Sequence, residues 1–164
     1  MRGSVAAANL AGVSRIRIEQ RHDPAAVDSI LRRLPDWFGI EDAIRSYVTD
    51  AATMPSFLAT SDGQVVGVAL IRRHFPASAE LHLIAVDPHH RGQGVGSRLV
   101  AAIESDLRAD GARMLQVHTV GASFDSAPYA ETRAFYAALS FVPLQEFDGI
   151  DWPGPTLILA KSLV

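Results

Sequence analysis

The sequence predicts a mixed α/β sheet with one central parallel pair, and three observations carry that reading. An apolar strand pattern over 79–86, an amphipathic helical pattern over 94–109 and a second strand pattern over 114–120 follow one another. Strand, helix, strand in that order implies a right-handed crossover and parallel neighbours. Asp62-Gly63 separates two β-rich runs, 56–60 and 64–72, which is a strong short-range hairpin signal. A chain of 164 residues, 48% hydrophobic and 20% charged, has the size and makeup to bury one globular core without staples. Residues 15–164 therefore read as a single domain.

Residues 1–14, with Ala6, Ala7, Ala8 and Leu10 after Arg2, are too short and too weakly apolar for a signal peptide and read as a flexible tail. From Arg15 to Gln20 polar and apolar side chains alternate, with Ile16 and Ile18 on one face, as in a half-buried strand. Asp23-Pro24 supplies a cap and a first-turn proline for a helix whose Val27, Ile30, Leu31 and Leu34 recur at helical spacing until Pro35. Trp37-Phe38-Gly39 interrupts before a second short helix over 41–50. After the hairpin, His74-Phe75-Pro76 is expected to turn the chain into the 79–86 strand. In the 94–109 helix, Val95, Leu99, Ala102, Ile103 and Leu107 form the apolar side, and Asp110-Gly111 closes it. A helix from about Pro128 to Leu139 and two last strands, 141–147 and 156–161, complete the chain.

Composition excludes several functions. With no cysteine there is no disulfide, thiolate metal site or cysteine nucleophile. A net charge of −3 with scattered basic residues gives no stripe for a nucleic-acid backbone, so no nucleic-acid partner is expected. No apolar run reaches membrane-spanning length, so no membrane role is expected, and the lack of a signal favours the cytoplasm. His89-His90 carries no metal-site spacing, and no metal is expected. The closing strands offer an edge at which a second copy could pair as a homodimer.

The chemistry concentrates where the 79–86 strand breaks at Pro88 and restarts as a helix through Gly92, Gly94 and Gly96. Alternate glycines leave backbone N–H groups bare at a helix start. No Ser, Thr, Asp or Asn stands before the helix to cap them. Such an end, with the positive pole of the macrodipole, suits a phosphate group. A ligand anchored there could lie along Ile84, Ala85 and Val86 as an added strand does. Coenzyme A has that shape, a diphosphate joined to an amide-bearing arm. The alternative is that the glycines serve only a tight turn and close helix packing.

Arg91-Gly-Gln-Gly-Val-Gly96 matches the Arg/Gln-x-x-Gly-x-Gly/Ala signature of the GNAT superfamily of acyl-CoA-dependent N-acyltransferases, which the chain resembles closely over 80–142 and in element order elsewhere. Ile84-Ala-Val-Asp-Pro88 and Phe135-Tyr136 followed by Phe141 fall where that superfamily places matching elements. The resemblance implies a mostly antiparallel sheet with a central parallel pair flanked by helices. It implies acetyl-CoA as co-substrate, its diphosphate on Arg91, Gly92, Gln93, Gly94, Val95, Gly96 and Ser97 and its pantetheine arm on Ile84, Ala85 and Val86. The implied reaction is attack of a primary amine, a small molecule or a peptide, on the acetyl thioester.

An alkylammonium has a typical pKa of about 10.4 and must lose a proton before attack. Glu80 lies where many members place the carboxylate that takes it, and in an extended strand Glu80, His82 and Ile84 would share one face; a solvated or arginine-paired Glu80 is the alternative, and His82 a second candidate. Tyr136 matches the family's general acid for the leaving thiolate. At helical spacing it falls with Tyr129 and Arg133 rather than with the core set Thr132, Phe135 and Leu139, so it need not be a core residue; a packed ring with a wet hydroxyl is the alternative. Trp37 and Phe38 either wall the acceptor pocket or staple their loop to the core. Two positions depart from the pattern: Ser140 stands for a glycine, and Tyr129 for an asparagine that touches the pantetheine arm. A dinucleotide module fits poorly, because the third glycine comes one residue early, and a P-loop lacks its Gly-Lys-Ser/Thr. A non-catalytic acyl-CoA sensor on the same scaffold is the competing function.

Overall fold

The computed structural model describes residues 15–164, and the tail expected over 1–14 lies outside the described residues. The chain runs β1 (Arg17–Gln20), α1 (Pro24–Leu31), α2 (Glu41–Asp50), β2 (Ser56–Ser61), β3 (Gln64–Phe75), β4 (Ser78–Val86), α3 (Val95–Ala109), β5 (Met114–Val120), α4 (Ala127–Ala138), β6 (Val142–Asp148) and β7 (Pro155–Ser162). The sheet has seven strands in the order β1-β2-β3-β4-β5-β7-β6. β4 and β5 are parallel and the other neighbours antiparallel. This is the mixed architecture that the strand-helix-strand pattern predicts.

Local chemistry sets most boundaries as expected. The Asp23 carboxylate caps α1 by accepting from the Ala26 N–H at 2.9 Å. Asp62 and Gly63, with φ of 50° and 80°, make the hairpin turn. Ser140, which departs from the glycine of the family it resembles, takes a left-handed φ of 67°, at a cost on the order of 1 kcal/mol. Two boundaries move: α1 stops at Leu31 with Arg32 as its C-cap, short of the expected Leu34, and β3 continues through His74 and Phe75, so these end the strand and the turn falls on Pro76 and Ala77.

Two apolar layers hold the sheet. On one face Leu99, Ile103 and Leu107 of α3 pack with Leu81, Leu115 and Val117. On the other, Val27, Ile30 and Leu31 of α1 and Ile44 of α2 pack with Leu58, Leu70 and Leu83. Burying a leucine or isoleucine contributes about 1.5–3 kcal/mol, so these faces fix which way each strand is turned.

Leu81 and Leu83, two residues apart, lie in opposite layers. The reason is a bulge: Leu70 pairs with Leu83 but Ile71 with Leu81, leaving His82 as the extra residue. The expectation that Glu80, His82 and Ile84 share one face is thereby corrected. Glu80, between the α3-facing Ala79 and Leu81, points to the α1/α2 side, whereas Ile84 and Val86 pack toward α3. The bulge also marks where the parallel strands part. β4 and β5 pair from Ser78↔Met114 to Leu81↔Val117 and no further, although β4 runs on to Val86 and β5 to Val120.

Candidate active site

A cleft of about 1090 Å³ opens where β4 and β5 part. It runs from the glycine turn, past Ile84, Ala85 and Val86, to Glu80, His82 and His118.

At the glycine end the turn is held from below. The Asp87 carboxylate, buried beneath it, accepts the His89 N–H at 2.9 Å and pairs with Arg33 in the turn that follows α1. Burial alone would push this carboxyl up, but the His89 N–H and the Arg33 guanidinium hold it below the usual range. Gly92 and Gly94 have φ of 70° and 75°, and a Cβ on either would meet nothing within 4 Å. Their need for glycine is thus conformational, with open space above them. Gly94 starts α3 without a side-chain cap, so the first-turn amides keep no intrahelical partner. Gly96 differs, because its Cβ would sit 3.0 Å from the Phe135 ring. Close packing therefore explains Gly96 and leaves the other two unexplained by it. Arg91, Gly92, Gly94, Val95, Gly96 and Ser97 line the cleft. Gln93 turns back to donate to the His89 carbonyl at 3.2 Å.

Trp37 joins this end. Its ring lies 4.0 Å beneath the Arg91 guanidinium, its indole N–H donates to Thr132 of α4 at 3.1 Å, and its carbonyl accepts from the Tyr129 hydroxyl at 3.0 Å. Phe38 points elsewhere, meeting Tyr47 of α2 edge-on at 5.9 Å, and Tyr47 in turn meets His82 at 5.2 Å. The two adjacent aromatics thus serve opposite ends of the cleft. Tyr129, in the family's asparagine position, spends its hydroxyl on the Trp37 loop.

The far end is a network of charge. Glu80, 7% exposed, lies 2.6 Å from His74 Nε2 and 3.5 Å from His82 Nδ1. His82 Nε2 lies 2.8 Å from Asp50 and 3.1 Å from Arg72. Burial pushes the Glu80 carboxyl up, but bonds to His82 and His74 and the nearby His118 outweigh it and bring it to about 2. Glu80 is therefore a firmly ionised and weakly basic group. On β5, His118 Nδ1 lies 2.9 Å from Asp151 of the β6–β7 loop.

Tyr136 lies between the ends and is buried, 4% exposed, with its ring 5.3 Å from Phe135 and 5.5 Å from Phe141. The helical-spacing argument that kept it out of the core is corrected: the ring belongs to the α3-side core while also lining the cleft. Burial pushes its hydroxyl up, so it stays protonated at neutral pH. No group among the described residues bonds that hydroxyl. Two buried side-chain polar atoms among the described residues, His118 Nε2 and Thr156 Oγ1, have no hydrogen-bond partner, and both residues line this cleft, whereas His90 Nδ1 faces the Asp87 carboxylate at 3.6 Å. Such atoms are rare in native interiors, and their gathering here marks a place where a ligand's polar groups can bond.

Sequence reasoning missed His74, Asp50, Arg72, His118 and Asp151. His118 had a signal, since Leu115 and Val117 alternate with Gln116 and His118 and send the polar pair to the α1/α2 face. Asp151 had none, because its loop carries no periodicity.

A family model for the acetyltransferase (GNAT) family matches residues 18–141, and the chain belongs to that family. Solved structures share the fold. A putative GNAT acetyltransferase from Desulfovibrio desulfuricans superposes with a TM-score of 0.75 at 22% identity, over 92% of this chain and 100% of that one. The ribosomal-protein-S18-alanine N-acetyltransferase of Escherichia coli gives 0.73 at 20% identity, over 91% and 94%. A GNAT acetyltransferase from Elizabethkingia anophelis with acetyl-CoA bound gives 0.70 at 17% identity, over 90% and 97%. No curated protein matches the sequence. Among the described residues no helix is long and apolar enough to cross a membrane.

Proposed function

We propose that the protein is an N-acetyltransferase that moves the acetyl group of acetyl-CoA to a primary amine by direct attack on the thioester. The observation that carries this reading is the parting of β4 from β5 beyond Leu81↔Val117, between an uncapped glycine turn and a histidine-carboxylate network. The bare amides from Arg91 to Ser97 bind the diphosphate, and the freed backbone of Ile84, Ala85 and Val86 pairs with the pantetheine amides. That lays the sulfur end beside the bulge. The acceptor enters from the α1/α2 face, between Phe38 and the β6–β7 loop, where the Glu80 carboxylate attracts its ammonium group. Tyr136, its hydroxyl kept protonated by burial, gives its proton to the leaving thiolate.

Family membership and the acetyl-CoA complex of a structural neighbour support the cofactor; the acceptor is a small-molecule or peptide amine. Cytoplasmic action and pairing of two copies along β6, the exposed edge strand, belong to the same proposal. The test is release of free thiol from acetyl-CoA across a library of primary amines, with calorimetry for acetyl-CoA, NAD and ATP. Thiol release that depends on one amine class, and binding of acetyl-CoA alone, are expected. Binding without transfer to any amine would leave the acyl-CoA sensor, and preferential NAD binding would overturn the coenzyme assignment.

A further inference from the structure

We infer that His118, oriented by Asp151, is the group that takes the proton from the acceptor ammonium, in place of Glu80. The inference rests on the acetyl-transfer reading above and assigns the base within it.

Three histidines gather at this end: His82 and His118 line the cleft, His74 lies outside it behind Glu80, and only His118 is placed to accept a proton from a ligand in the cleft. His74 and His82 each already hold a carboxylate at Nε2, Glu80 at 2.6 Å and Asp50 at 2.8 Å. His82 also has Glu80 at 3.5 Å from Nδ1 and the Arg72 guanidinium at 3.1 Å from Nε2. His118 is arranged differently. Its Nδ1 lies 2.9 Å from Asp151 Oδ2, and its Nε2 has no hydrogen-bond partner among the described residues. In the neutral ring that hydrogen bond assigns the proton to Nδ1 and leaves the lone pair on Nε2. A carboxylate behind one nitrogen and nothing on the other is the arrangement of a general base. Leaving Nε2 buried and unpaired costs folding free energy, which a bound amine would return.

Its place in the sheet supplies a second argument. β5 pairs with β4 as far as Val117, so His118 is the first β5 residue past the fork. The alternation of β5 turns it to the α1/α2 face, the side of Glu80, and it lines the cleft. Glu80, held near 2 by its histidines, retains little basicity for an ammonium. It is suited to attracting that cation.

The proton balance is complete. The ammonium gives one proton to His118 Nε2, and the freed amine attacks the thioester carbon as the new C–N bond forms. The C–S bond then breaks, the second nitrogen proton reaches sulfur by way of Tyr136, and the imidazolium returns its proton to solvent. One amide, one thiol and one proton are the products.

The experiment is the pH–rate profile of thiol release for the full-length wild type, His118→Gln, Asp151→Asn and Glu80→Gln with the best amine of the library. His118→Gln is expected to lower kcat about 100-fold at neutral pH, to lose the acid limb of the profile and to leave acetyl-CoA affinity unchanged. Asp151 is a positioning residue on an exposed loop, so Asp151→Asn folds normally, lowers kcat about 10-fold and leaves acetyl-CoA affinity unchanged, because the imidazole loses the carboxylate that orients it. Added imidazole should restore part of the turnover of His118→Ala, which a structural role would not allow. Transfer that His118→Gln leaves unchanged, or an acid limb lost only in Glu80→Gln, overturns this inference alone. Absence of transfer by the wild type overturns the proposed function and this inference with it.

Discussion

The two ends of the cleft are made of different material. The glycine end is nearly all backbone: two left-handed glycines, an uncapped helix start and open space where side chains would stand. The far end is nearly all side chain: Glu80, His74, His82, Asp50, Arg72, His118 and Asp151, drawn from α2, β3, β4, β5 and the β6–β7 loop. Backbone recognition suits a ligand part that never changes, and a side-chain network can be re-cut for each acceptor. On this view substitutions at the glycine end should touch coenzyme binding, and those at the far end should touch acceptor binding and turnover while leaving coenzyme affinity as it was.

The sharpest way to break that division is Gly94→Glu. A side chain at φ 75° costs on the order of 1 kcal/mol, and its charge would stand over the amides that the proposed function assigns to the diphosphate. Losing two charge-assisted bonds of about 1.5–3 kcal/mol each should weaken acetyl-CoA binding by more than about 100-fold in calorimetry, with the fold intact by circular dichroism. Unchanged affinity would put the diphosphate elsewhere and dissolve the comparison.

At the far end the largest effect is on stability against pH. The Glu80 carboxyl falls from an ordinary 4.5 to about 2 on folding, so its contribution is fully present above about 4.5 and is lost as pH falls through 2. The contribution amounts to at most about 3 kcal/mol, less what cleft water screens. The thermal midpoint of wild type should therefore drop more steeply between about pH 5 and 2 than that of Glu80→Gln. Parallel curves would show the network to be solvated and slack.

Tyr136→Phe tests the junction between the ends. Its ring is core and no described residue bonds its hydroxyl, so stability should change by less than about 1 kcal/mol. Turnover should fall about 30-fold through the lost proton donor, with acetyl-CoA affinity unchanged. A protein that turns over normally without this hydroxyl protonates its thiolate from water.

What the sequence made legible follows the same line between backbone and side chain. The turn at 91–97, the hairpin at Asp62-Gly63 and the Asp23 cap are local, and each announces itself within a few residues, whereas the left-handed Ser140 is suggested only by the glycine the resembling family carries there. The far end depends on contacts such as His82–Asp50 and His118–Asp151, 32 and 33 residues apart, which no short pattern encodes. The bulge at His82 adds a further obstacle. Alternation from Glu80 to Ile84 reads as one face, and only the register of β3 on β4 reveals that the face changes there. The helical wheel failed at Tyr136 for a related reason, since α4 is packed on one side and lines a cleft on the other, so one residue belongs to both.

Trp37 and Phe38 give the finest test, because one peptide bond separates side chains that serve different ends. Trp37 lies under the Arg91 guanidinium at 4.0 Å, a contact of about 0.5–1 kcal/mol, so Trp37→Ala should weaken acetyl-CoA about 3-fold by releasing that arginine. Phe38 touches Tyr47 and through it His82, so Phe38→Ala should raise the acceptor KM about 5-fold and leave acetyl-CoA affinity as it was. Measuring both constants for both variants separates the ends at single-residue resolution. If Trp37→Ala instead moves the acceptor KM alone, the tryptophan walls the acceptor pocket together with Phe38, and the boundary between the two ends lies nearer the glycine turn.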